Sequence, residues 1–393
     1  MTTHSPAPDF GAPDTARIAI GLMSGTSMDG IDAALMHTDG VTVTRLGPST
    51  TLAYPDSLRD RLRAAMENAA SLVEPDKDSA DVRVLERDLT DAHEAAVRQL
   101  LKNSGYAPTD IDVVGFHGQT LVHRPDRGWT WQIGDGGRLA GRLSMPVIND
   151  FRAADVAGGG QGAPLVPVYH AALAARGGRH RRLAVVNIGG VANVTWIDLT
   201  AGAEEPALVA FDTGPGNAVV DDWVRHHSGA AYDADGAMAS SGMTHSDVLL
   251  NLMDSSYFAD SPPKSLDRAD FTMQAVRGLG AADGASTLTD FVVEGIVAAQ
   301  EHFPAPVDEW YICGGGRHNT TLMKRLRRRL PVMVEPVEAL GWRGDALEAE
   351  AFAFLAVRRL RGLPLTYPGT TGCARPVVGG VLHLPHGVQP GPA

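Results

Sequence analysis

The chain has 393 residues, which is longer than one ordinary hydrophobic core supports and suits two domains. Its 46 acidic residues outnumber its 34 basic residues, so the formal net charge is −12. This balance argues against sequence-independent nucleic-acid binding, which needs basic surface to neutralise phosphates. The two cysteines, Cys313 and Cys373, cannot form a disulfide framework, and the sequence has no CxxC zinc pattern. We therefore expect a protein of the reducing cytoplasm with no nucleic-acid partner.

The start of the chain and its apolar segments bear on membranes and export. Residues 1–16 are rich in Pro, Thr and Ala and lack the basic start and hydrophobic run of a signal peptide, so we expect a disordered tail. No apolar stretch approaches the roughly 20 residues that span a bilayer, so we expect no membrane association.

Apolar runs and helical periodicities alternate along the chain and predict an α/β protein. Buried strands are expected at 17–22, 31–36, 111–116, 183–188, 192–197, 208–211 and 310–313. Helices are expected at 56–70, 81–101, 219–227, 246–257, 288–302, 319–329 and 345–361, with a loop-rich region at 146–167. The order strand, glycine-rich turn, strand occurs near the start and again near residue 190, which indicates two similar halves.

The first glycine turn, residues 25–30, combines two hydroxyls, one carboxylate and two glycines. Such a loop offers N–H groups and hydroxyls to phosphate oxygens and a carboxylate to Mg²⁺. A plain hairpin turn explains it equally well, because Asp-Gly favours tight hairpins. The turn has no Walker lysine, so a P-loop fold is disfavoured.

Two further glycine turns, residues 187–193 and 314–319, also follow apolar strands. Either one alone is best explained as a structural turn. Three such turns in one chain favour nucleotide binding, because glycine lets the backbone approach a ligand closely. Arg317 stands at the start of an expected helix, a position that suits anions.

Asp212 follows an apolar strand directly and precedes Gly-Pro-Gly, a place where a general base is expected in an α/β protein. The alternative is a helix N-cap, which the Gly-Pro-Gly disfavours. Other polar groups at strand ends suit a hydroxyl-rich ligand such as a sugar. They are His117, Gln119, Asp135, Arg152 and Asp155. His117 taken alone is best explained as a structural histidine, and the basic run 324–329 as a solvated helix face.

Eight motifs in register over residues 18–384 resemble the anhydro-N-acetylmuramic acid kinases, members of the actin/hexokinase-like ATPase superfamily. They are GLMSGTSMDGIDAAL, GFHGQT, QIGDG, NDFRAADVAGGGQGAPLVP, NIGGVANVT, FDTGPGN, GGGRHN and ALEAEAFAFLA. The resemblance implies an α/β fold of two ribonuclease-H-like domains, each with a mixed five-stranded sheet flanked by helices, closing over ATP and sugar in a central cleft. We place domain I at 17–150 and domain II at 151–375, with a C-terminal strand and tail at 376–393 that can return to domain I.

The resemblance also implies the site residues. ATP or Mg²⁺ is assigned to Gly25, Thr26, Ser27, Met28, Asp29, Gly30, Asp32, Asn187, Gly189, Gly190, Gly314, Gly315, Gly316, Asn319 and Glu348. The sugar is assigned to His117, Gln119, Asp135, Arg152, Asp155, Gly162 and Pro164. Asp29 and Glu348 are the expected Mg²⁺ ligands, and an exposed helical glutamate is the other interpretation of Glu348. Asp212 is the expected general base for a water that opens the 1,6-anhydro bridge while O6 takes the γ-phosphate of ATP.

The implied reaction converts 1,6-anhydro-N-acetylmuramic acid, water and ATP into N-acetylmuramic acid 6-phosphate and ADP, in peptidoglycan sugar recycling. The implied assembly is a homodimer. Alternatives are a levoglucosan-type anhydro-sugar kinase, a non-catalytic ATP-binding actin-like protein and an ATP-dependent hydrolase. The sequence departs from the family pattern at Leu266-Asp267, where Thr-Gly is usual, and at Cys373, where alanine is expected.

Overall fold

The computed structural model describes residues 15–25, 28, 30–178, 181–200, 207–266 and 270–385. The chain divides into two compact units. The first unit contains Met1–Arg176, Ala346–Pro368 and Cys373–Ala393, and the second contains Gly177–Asp345 and Gly369–Gly372.

Strands and helices alternate along the chain, as the apolar patterns predict. The strands are β1 Arg17–Met23, β2 Gly30–Thr38, β3 Val43–Ala53, β4 Val113–Phe116, β5 Gln119–Arg124, β6 Trp129–Ile133, β7 Val147–Asn149, β8 Arg182–Ile188, β9 Val191–Asp198, β10 Ala207–Pro215, β11 Glu309–Cys313, β12 Met333–Pro336 and β13 Val381–His383. The helices are α1 Asp56–Ala69, α2 Ala80–Ser104, α3 Gly136–Leu143, α4 Ala153–Ala157, α5 Pro167–Arg176, α6 Asn217–Ser228, α7 Ala237–Ser241, α8 Ser246–Met253, α9 Ser256–Ala259, α10 Ala281–Ala298, α11 Thr320–Arg329, α12 Leu347–Leu360 and α13 Pro368–Thr371.

The first unit is built on a mixed sheet with strand order β13-β7-β4-β1-β2-β3. Strands β1, β2 and β3 form an antiparallel meander, while β4 and β7 run parallel to β1. Within the described residues this sheet has six strands rather than the five expected, because β13 adds to the edge by pairing antiparallel with β7. The hairpin β5-β6 stands apart as a sheet of its own.

The core of the first unit forms where apolar side chains of the sheet meet those of the helices. Ile20 and Leu22 of β1 are completely buried against Leu89 and Val97 of α2. Helix α12 covers β1, β2 and β4. Strand β1 ends at Met23, directly before the first glycine turn.

The second unit repeats the same topology. Its sheet has the order β10-β9-β8-β11-β12, with β8, β9 and β10 antiparallel and with β11 and β12 parallel to β8. The first sheet has this same pattern in β3-β2-β1-β4-β7, which is the ribonuclease-H-like arrangement that was predicted. One face of the second sheet packs through Val186, Val194 and Phe211 against Leu288 of α10 and Leu326 of α11.

The units differ from the predicted domain limits in two places. The first unit continues past residue 150 to Arg176 and regains residues 346–368, which were assigned to domain II. The physical reason is packing: Tyr169 of α5 donates a hydrogen bond of 2.6 Å to Glu350 of α12, and α12 lies on the first sheet. Helix α12 therefore follows the last strand of the second sheet in the sequence but packs on the first sheet.

Some predicted element boundaries also need correction. The helix expected at 246–257 is interrupted after Met253, and α9 begins anew with the Ser255 side chain as its N-cap. The helix expected from residue 288 starts seven residues earlier, at Ala281. The loop-rich region contains the short strand β7 and helix α4. In the described part of the chain, no helix is both long and apolar enough to cross a bilayer.

Candidate functional site

The first glycine turn is tied to the segment that follows β4. Ser24, which is buried, donates a hydrogen bond of 3.0 Å to the carbonyl of Gly118, and Gln119 Nε2 donates one of 3.3 Å to the carbonyl of Gly25. The N–H of Met28 donates to the same Gly25 carbonyl at 3.2 Å, and Met28 has a positive φ of 54°. The backbone therefore turns tightly here, at the carboxyl end of β1. Thr26, Ser27 and Asp29 lie outside the described residues.

Two predicted carboxylates belong to elements that meet at the end of β1. Asp32 pairs with Met23 in the register of β1 and β2, and it accepts a hydrogen bond of 2.5 Å from Thr51. Glu348 stands in the first turn of α12, between two alanines, Ala346 and Ala349, that pack against Met23. Carboxylate oxygens suit Mg²⁺, which commonly takes one or two protein ligands and keeps several waters. The donor chemistry therefore fits Mg²⁺, although the described residues contain no group of three or more potential ligands.

His117 is held as a neutral imidazole. Its Nδ1–H donates to the Gly118 carbonyl at 2.7 Å, and its Nε2 accepts from Arg152 Nε at 3.1 Å. Burial, with the nearby Arg152 charge second, lowers the pKa of His117 well below its ordinary value of 6.5. Arg152 also donates to the Gly162 carbonyl at 2.8 Å. Three predicted sugar residues are thus connected through Arg152.

Asp155 organises the turn that contains the remaining predicted sugar residues. Its carboxylate is 1% exposed and accepts the Gly162 N–H at 2.7 Å and the Thr366 hydroxyl. Gly162 has a φ of 69°, and a Cβ there would lie 2.6 Å from Val156. Pro164 follows within the turn and is buried. These contacts show that Asp155 orders the turn, and its contact with the sugar stays a prediction.

Two other predicted ligand residues are helix N-caps. Asp135 is exposed and accepts the N–H of Arg138 at 2.8 Å, which caps α3. Asn319 accepts the N–H of Leu322 at 3.0 Å, which caps α11. Each side chain therefore satisfies an N–H group that the helix leaves without a partner.

The glycine turns of the second unit come together at one edge of its sheet. Gly314 follows β11, and a Cβ on it would lie 2.3 Å from Asn187 Oδ1 at the end of β8. The N–H groups of Gly216 and Asn217 donate to the carbonyls of Gly190 at 3.0 Å and of Gly189 at 2.7 Å. Helix α6 starts at this point, so its N-terminus lies beside the glycine-lined backbone of residues 189–190. Such an edge suits a phosphate or nucleotide.

Arg317 does not provide the anion site that its place in the sequence suggested. Its side chain is 3% exposed and pairs with Glu338 at 2.9 Å and with Asp345 at 2.6 Å. It also donates to the Gly314 carbonyl at 2.9 Å. Its charge is matched by two carboxylates, so Arg317 stabilises the third glycine turn.

Asp212 lies near the carboxyl end of β10 and is 8% exposed. Its Oδ2 accepts the N–H of Leu266 at 2.8 Å, and its own N–H donates to the Lys264 carbonyl at 3.1 Å. The hydroxyl of Tyr257 donates to the Asp212 carbonyl at 2.6 Å. Helix α6 has Gly216 at its N-cap, so Asp212 is not a cap. The family departure at Leu266 therefore leaves a backbone contact to Asp212, while Asp267 lies outside the described residues.

Sequence reasoning did not place three residues beside Asp212, although Asn193 belongs to the second glycine turn, residues 187–193. Lys264 Nζ donates to the Tyr257 carbonyl at 2.7 Å and lies 4.7 Å from the Tyr257 ring centre. Asn193 is the cross-strand partner of Asp212 in β9. No local signal singles out Tyr257 or Lys264. Successive side chains of a strand point to opposite faces of the sheet, and this alternation along the predicted strand after the second glycine turn could have identified Asn193.

Comparisons with known proteins place this geometry in a family. The family model described as anhydro-N-acetylmuramic acid kinase matches residues 17–385. Relatives of that name from Rhizorhabdus wittichii and Rhodospirillum rubrum are each 53% identical, over 371 and 372 residues. The alignments cover 94% of this chain and 100% of the first relative, and 95% of this chain and 96% of the second.

Solved structures match less closely. A ligand-bound xylulose kinase from Lactobacillus acidophilus is 11% identical with a TM-score of 0.44, covering 94% of each chain. Similarity at that level supports no argument about function. On the family match and the close relatives, the chain belongs to the anhydro-N-acetylmuramic acid kinase family.

Proposed function

We propose that the chain is an ATP-dependent kinase that converts 1,6-anhydro-N-acetylmuramic acid and water into N-acetylmuramic acid 6-phosphate, releasing ADP. Membership of the family supports the reaction class. The observation that carries the mechanism is the Asp212 carboxylate, held by the Leu266 N–H at the sheet edge where the glycine turns of the second unit meet. A carboxylate fixed in this way suits a general base.

In the proposed reaction Asp212 accepts a proton from water as the water oxygen bonds to the anomeric carbon C1. The bond from C1 to O6 breaks, and O6 takes its electron pair to the γ-phosphorus of ATP. The bond between the γ-phosphorus and the bridging oxygen breaks, ADP leaves, and Asp212 later releases its proton to solvent. No protein nucleophile is needed, because phosphoryl transfer depends mainly on positioning and charge neutralisation.

The backbone around Gly25 and Met28 is proposed to bind phosphate oxygens, together with Thr26, Ser27 and Gly30. Gly189, Gly190 and Gly314–Gly316 of the second unit are proposed nucleotide-binding residues. Asp29 and Glu348 are the proposed ligands of Mg²⁺, with Asp32 as an adjacent carboxylate. When bound, Mg²⁺ neutralises phosphate charge.

The sugar is proposed to contact Gln119, Arg152 and the free oxygen of the Asp135 carboxylate. Gln119 is completely buried, and its Oε1 has no hydrogen-bond partner within the described residues, which suits an acceptor for a sugar hydroxyl. The guanidinium of Arg152 suits the carboxylate of the substrate's lactyl group. We also propose that the protein recycles peptidoglycan sugars, since the substrate is a cell-wall fragment. A cytoplasmic location and a homodimer are further proposals, which rest on the family resemblance.

The test is product analysis after incubation with ATP, Mg²⁺ and the anhydro sugar in heavy-oxygen water. We expect a sugar 6-phosphate that carries the label in its C1 hydroxyl and one ADP per sugar. Levoglucosan, which lacks the lactyl and N-acetyl groups, serves as the competing substrate. Free phosphate without phosphorylated sugar, or a higher kcat/KM for levoglucosan, contradicts the proposal.

Replacement of the proposed base gives a second test. We expect Asp212→Asn to lower kcat by at least about 10³-fold, because the amide cannot accept the proton, while the affinity for ATP stays within about threefold. Asp254→Asn removes an exposed carboxylate of the same unit and is the matched control. Wild-type turnover by the Asp212 variant would remove Asp212 from the mechanism.

A further inference from the structure

Four residues of the second sheet form a row at the level of Asp212. Asp212 pairs with Asn193 across β10 and β9, Asn193 pairs with Asn187 across β9 and β8, and Asn187 pairs with Cys313 across β8 and β11. Cross-strand partners have Cβ atoms about 5 Å apart and point to the same face of a sheet. The Asp212 carboxylate and the Asn193 amide are therefore immediate neighbours.

The face on which they lie follows from the residues next to them. Phe211, Val194 and Ile188 pack into the core of the second unit. Because successive side chains of a strand alternate between faces, Asp212, Asn193 and Asn187 point to the opposite face. A polar row on this face stands at the edge where the glycine turns meet.

Asn193 differs from Asn187 in its contacts. Asn187 is packed beside Gly314, where its Oδ1 leaves no room for a Cβ. Asn193 is only half-buried, and the described residues give its side-chain amide no hydrogen-bond partner. A structural asparagine at the end of a strand normally bonds its amide to backbone or to a turn. The amide of Asn193 instead remains available to a ligand.

We infer that Asn193 holds the attacking water together with Asp212, an inference that rests on the proposed function. A water molecule has two hydrogens to direct, and one carboxylate fixes only one of them. If Asp212 accepts the first hydrogen and Asn193 Oδ1 the second, each at about 2.8 Å, a lone pair of the water is left to attack C1. During the step the proton passes to Asp212, while Asn193 keeps its hydrogen bond and changes no bonds. Asn193 thus touches the reacting water and is a catalytic residue.

The test measures kcat, KM and label incorporation for three variants. We expect Asn193→Ala and Asn193→Ser to lower kcat about 100-fold, with KM for ATP and for the sugar changed less than about threefold, because the amide acts on the water alone. Asn251→Ala, an exposed asparagine of α8, is the control and is expected to behave as wild type. Thermal melting checks that each variant is folded.

Asn193→Asp separates a catalytic from a structural role. A second carboxylate about 5 Å from Asp212 raises the pKa of the pair, so the acid limb of the kcat profile moves to higher pH. Above that limb both groups are ionised, and the aspartate offers the water an acceptor as the amide does. We expect kcat of Asn193→Asp to return to within about tenfold of wild type at alkaline pH.

Each outcome decides between the two proposals. If the wild type produces the C1-labelled 6-phosphate while Asn193→Ala and Asn193→Ser keep kcat within about threefold, the inference is overturned and the proposed function stands. An unchanged acid limb in Asn193→Asp also overturns it. If the wild type gives no labelled sugar phosphate, the proposed function fails and the inference fails with it.

Discussion

His93, His117 and His170 of the first unit are buried and neutral. Burial lowers the pKa of His93 to about 4 and that of His170 to about 3, from an ordinary value of 6.5. It also lowers the pKa of His117, with help from the Arg152 charge. Nδ1 of His93 bonds to the Leu89 carbonyl, and its ring packs on Phe116 at 4.7 Å, so protonation would place an unsolvated charge in the core.

We expect these histidines to make stability depend on pH. Their folded-state pKa values lie below the unfolded value of 6.5, so the unfolded chain binds protons first, and stability falls as pH drops below about 6.5. At pH 5 His93 and His170 each cost about 2 kcal/mol relative to pH 8. Thermal melting between pH 8 and 5 measures the slope. It should become shallower in His93→Gln and stay unchanged in His226→Gln, an exposed control; equal slopes in all three proteins contradict the assignment.

At the scale of single residues, side chains of the same chemical type have different roles that the sequence alone does not distinguish. Asp212 was correctly placed near the carboxyl end of a strand, although β10 continues past it to Pro215 and does not end at residue 211. Asp135 and Asn319 carry the same kind of oxygen, yet they cap helices. Arg317 has partners at 338 and 345, and only the folded chain brings those carboxylates to its guanidinium.

At the scale of elements, two glycines decide where α12 lies. Gly21 of β1 and Gly115 of β4 are cross-strand partners. A Cβ on Gly21 would lie 1.8 Å from the Ala349 carbonyl oxygen, and one on Gly115 would lie 2.1 Å from that of Phe352. Because these two neighbouring strands have no side chain at Gly21 and Gly115, α12 packs directly on their backbone. This packing brings the first turn of α12, which contains Glu348, to the end of β1.

We expect Gly21→Ala to displace α12 and to destabilise the first unit by at least about 3 kcal/mol, because the clash is with helix backbone and no side chain can move aside. Chemical denaturation provides the measurement. Gly278→Ala is the control, since a Cβ there meets nothing within 4 Å. Equal stability of both variants would mean that α12 is held elsewhere.

The strands near the three glycine turns and the helices α1, α2, α6 and α11 follow the sequence patterns closely. The patterns are local in each case: an apolar run for a strand and a helical spacing for a helix. The packing position of α12 and the pairing of β13 with β7 could not be predicted from such local patterns. Both are decided by contacts across more than 200 residues of chain, and an isolated glycine in a strand does not say which helix will cover it.

At the scale of the whole molecule, the chain leaves the first unit at Arg176 and returns at Ala346. The first sheet therefore gains α12 and β13 from a part of the chain that follows nearly all of the second unit in the sequence. The second unit has its own core and takes only Gly369–Gly372 from the end of the chain. Completion of the first unit depends on residues 346–393, about the last eighth of the sequence, although its first strand is near the start.

We expect truncation to affect the two units unequally. A chain that ends at residue 345 lacks α12, so β1, β2 and β4 lose the helix that covers them, and the first unit should lose its cooperative unfolding transition. A chain that ends at residue 380 lacks only β13 of the described elements and should keep that transition at a lower temperature, because an edge strand of three residues buries little. Both truncations lack residues 381–393, so the difference between them reports on residues 346–380. Calorimetry of the two proteins measures it, and a first-unit transition that survives in the shorter chain would show that the first sheet closes its core without α12.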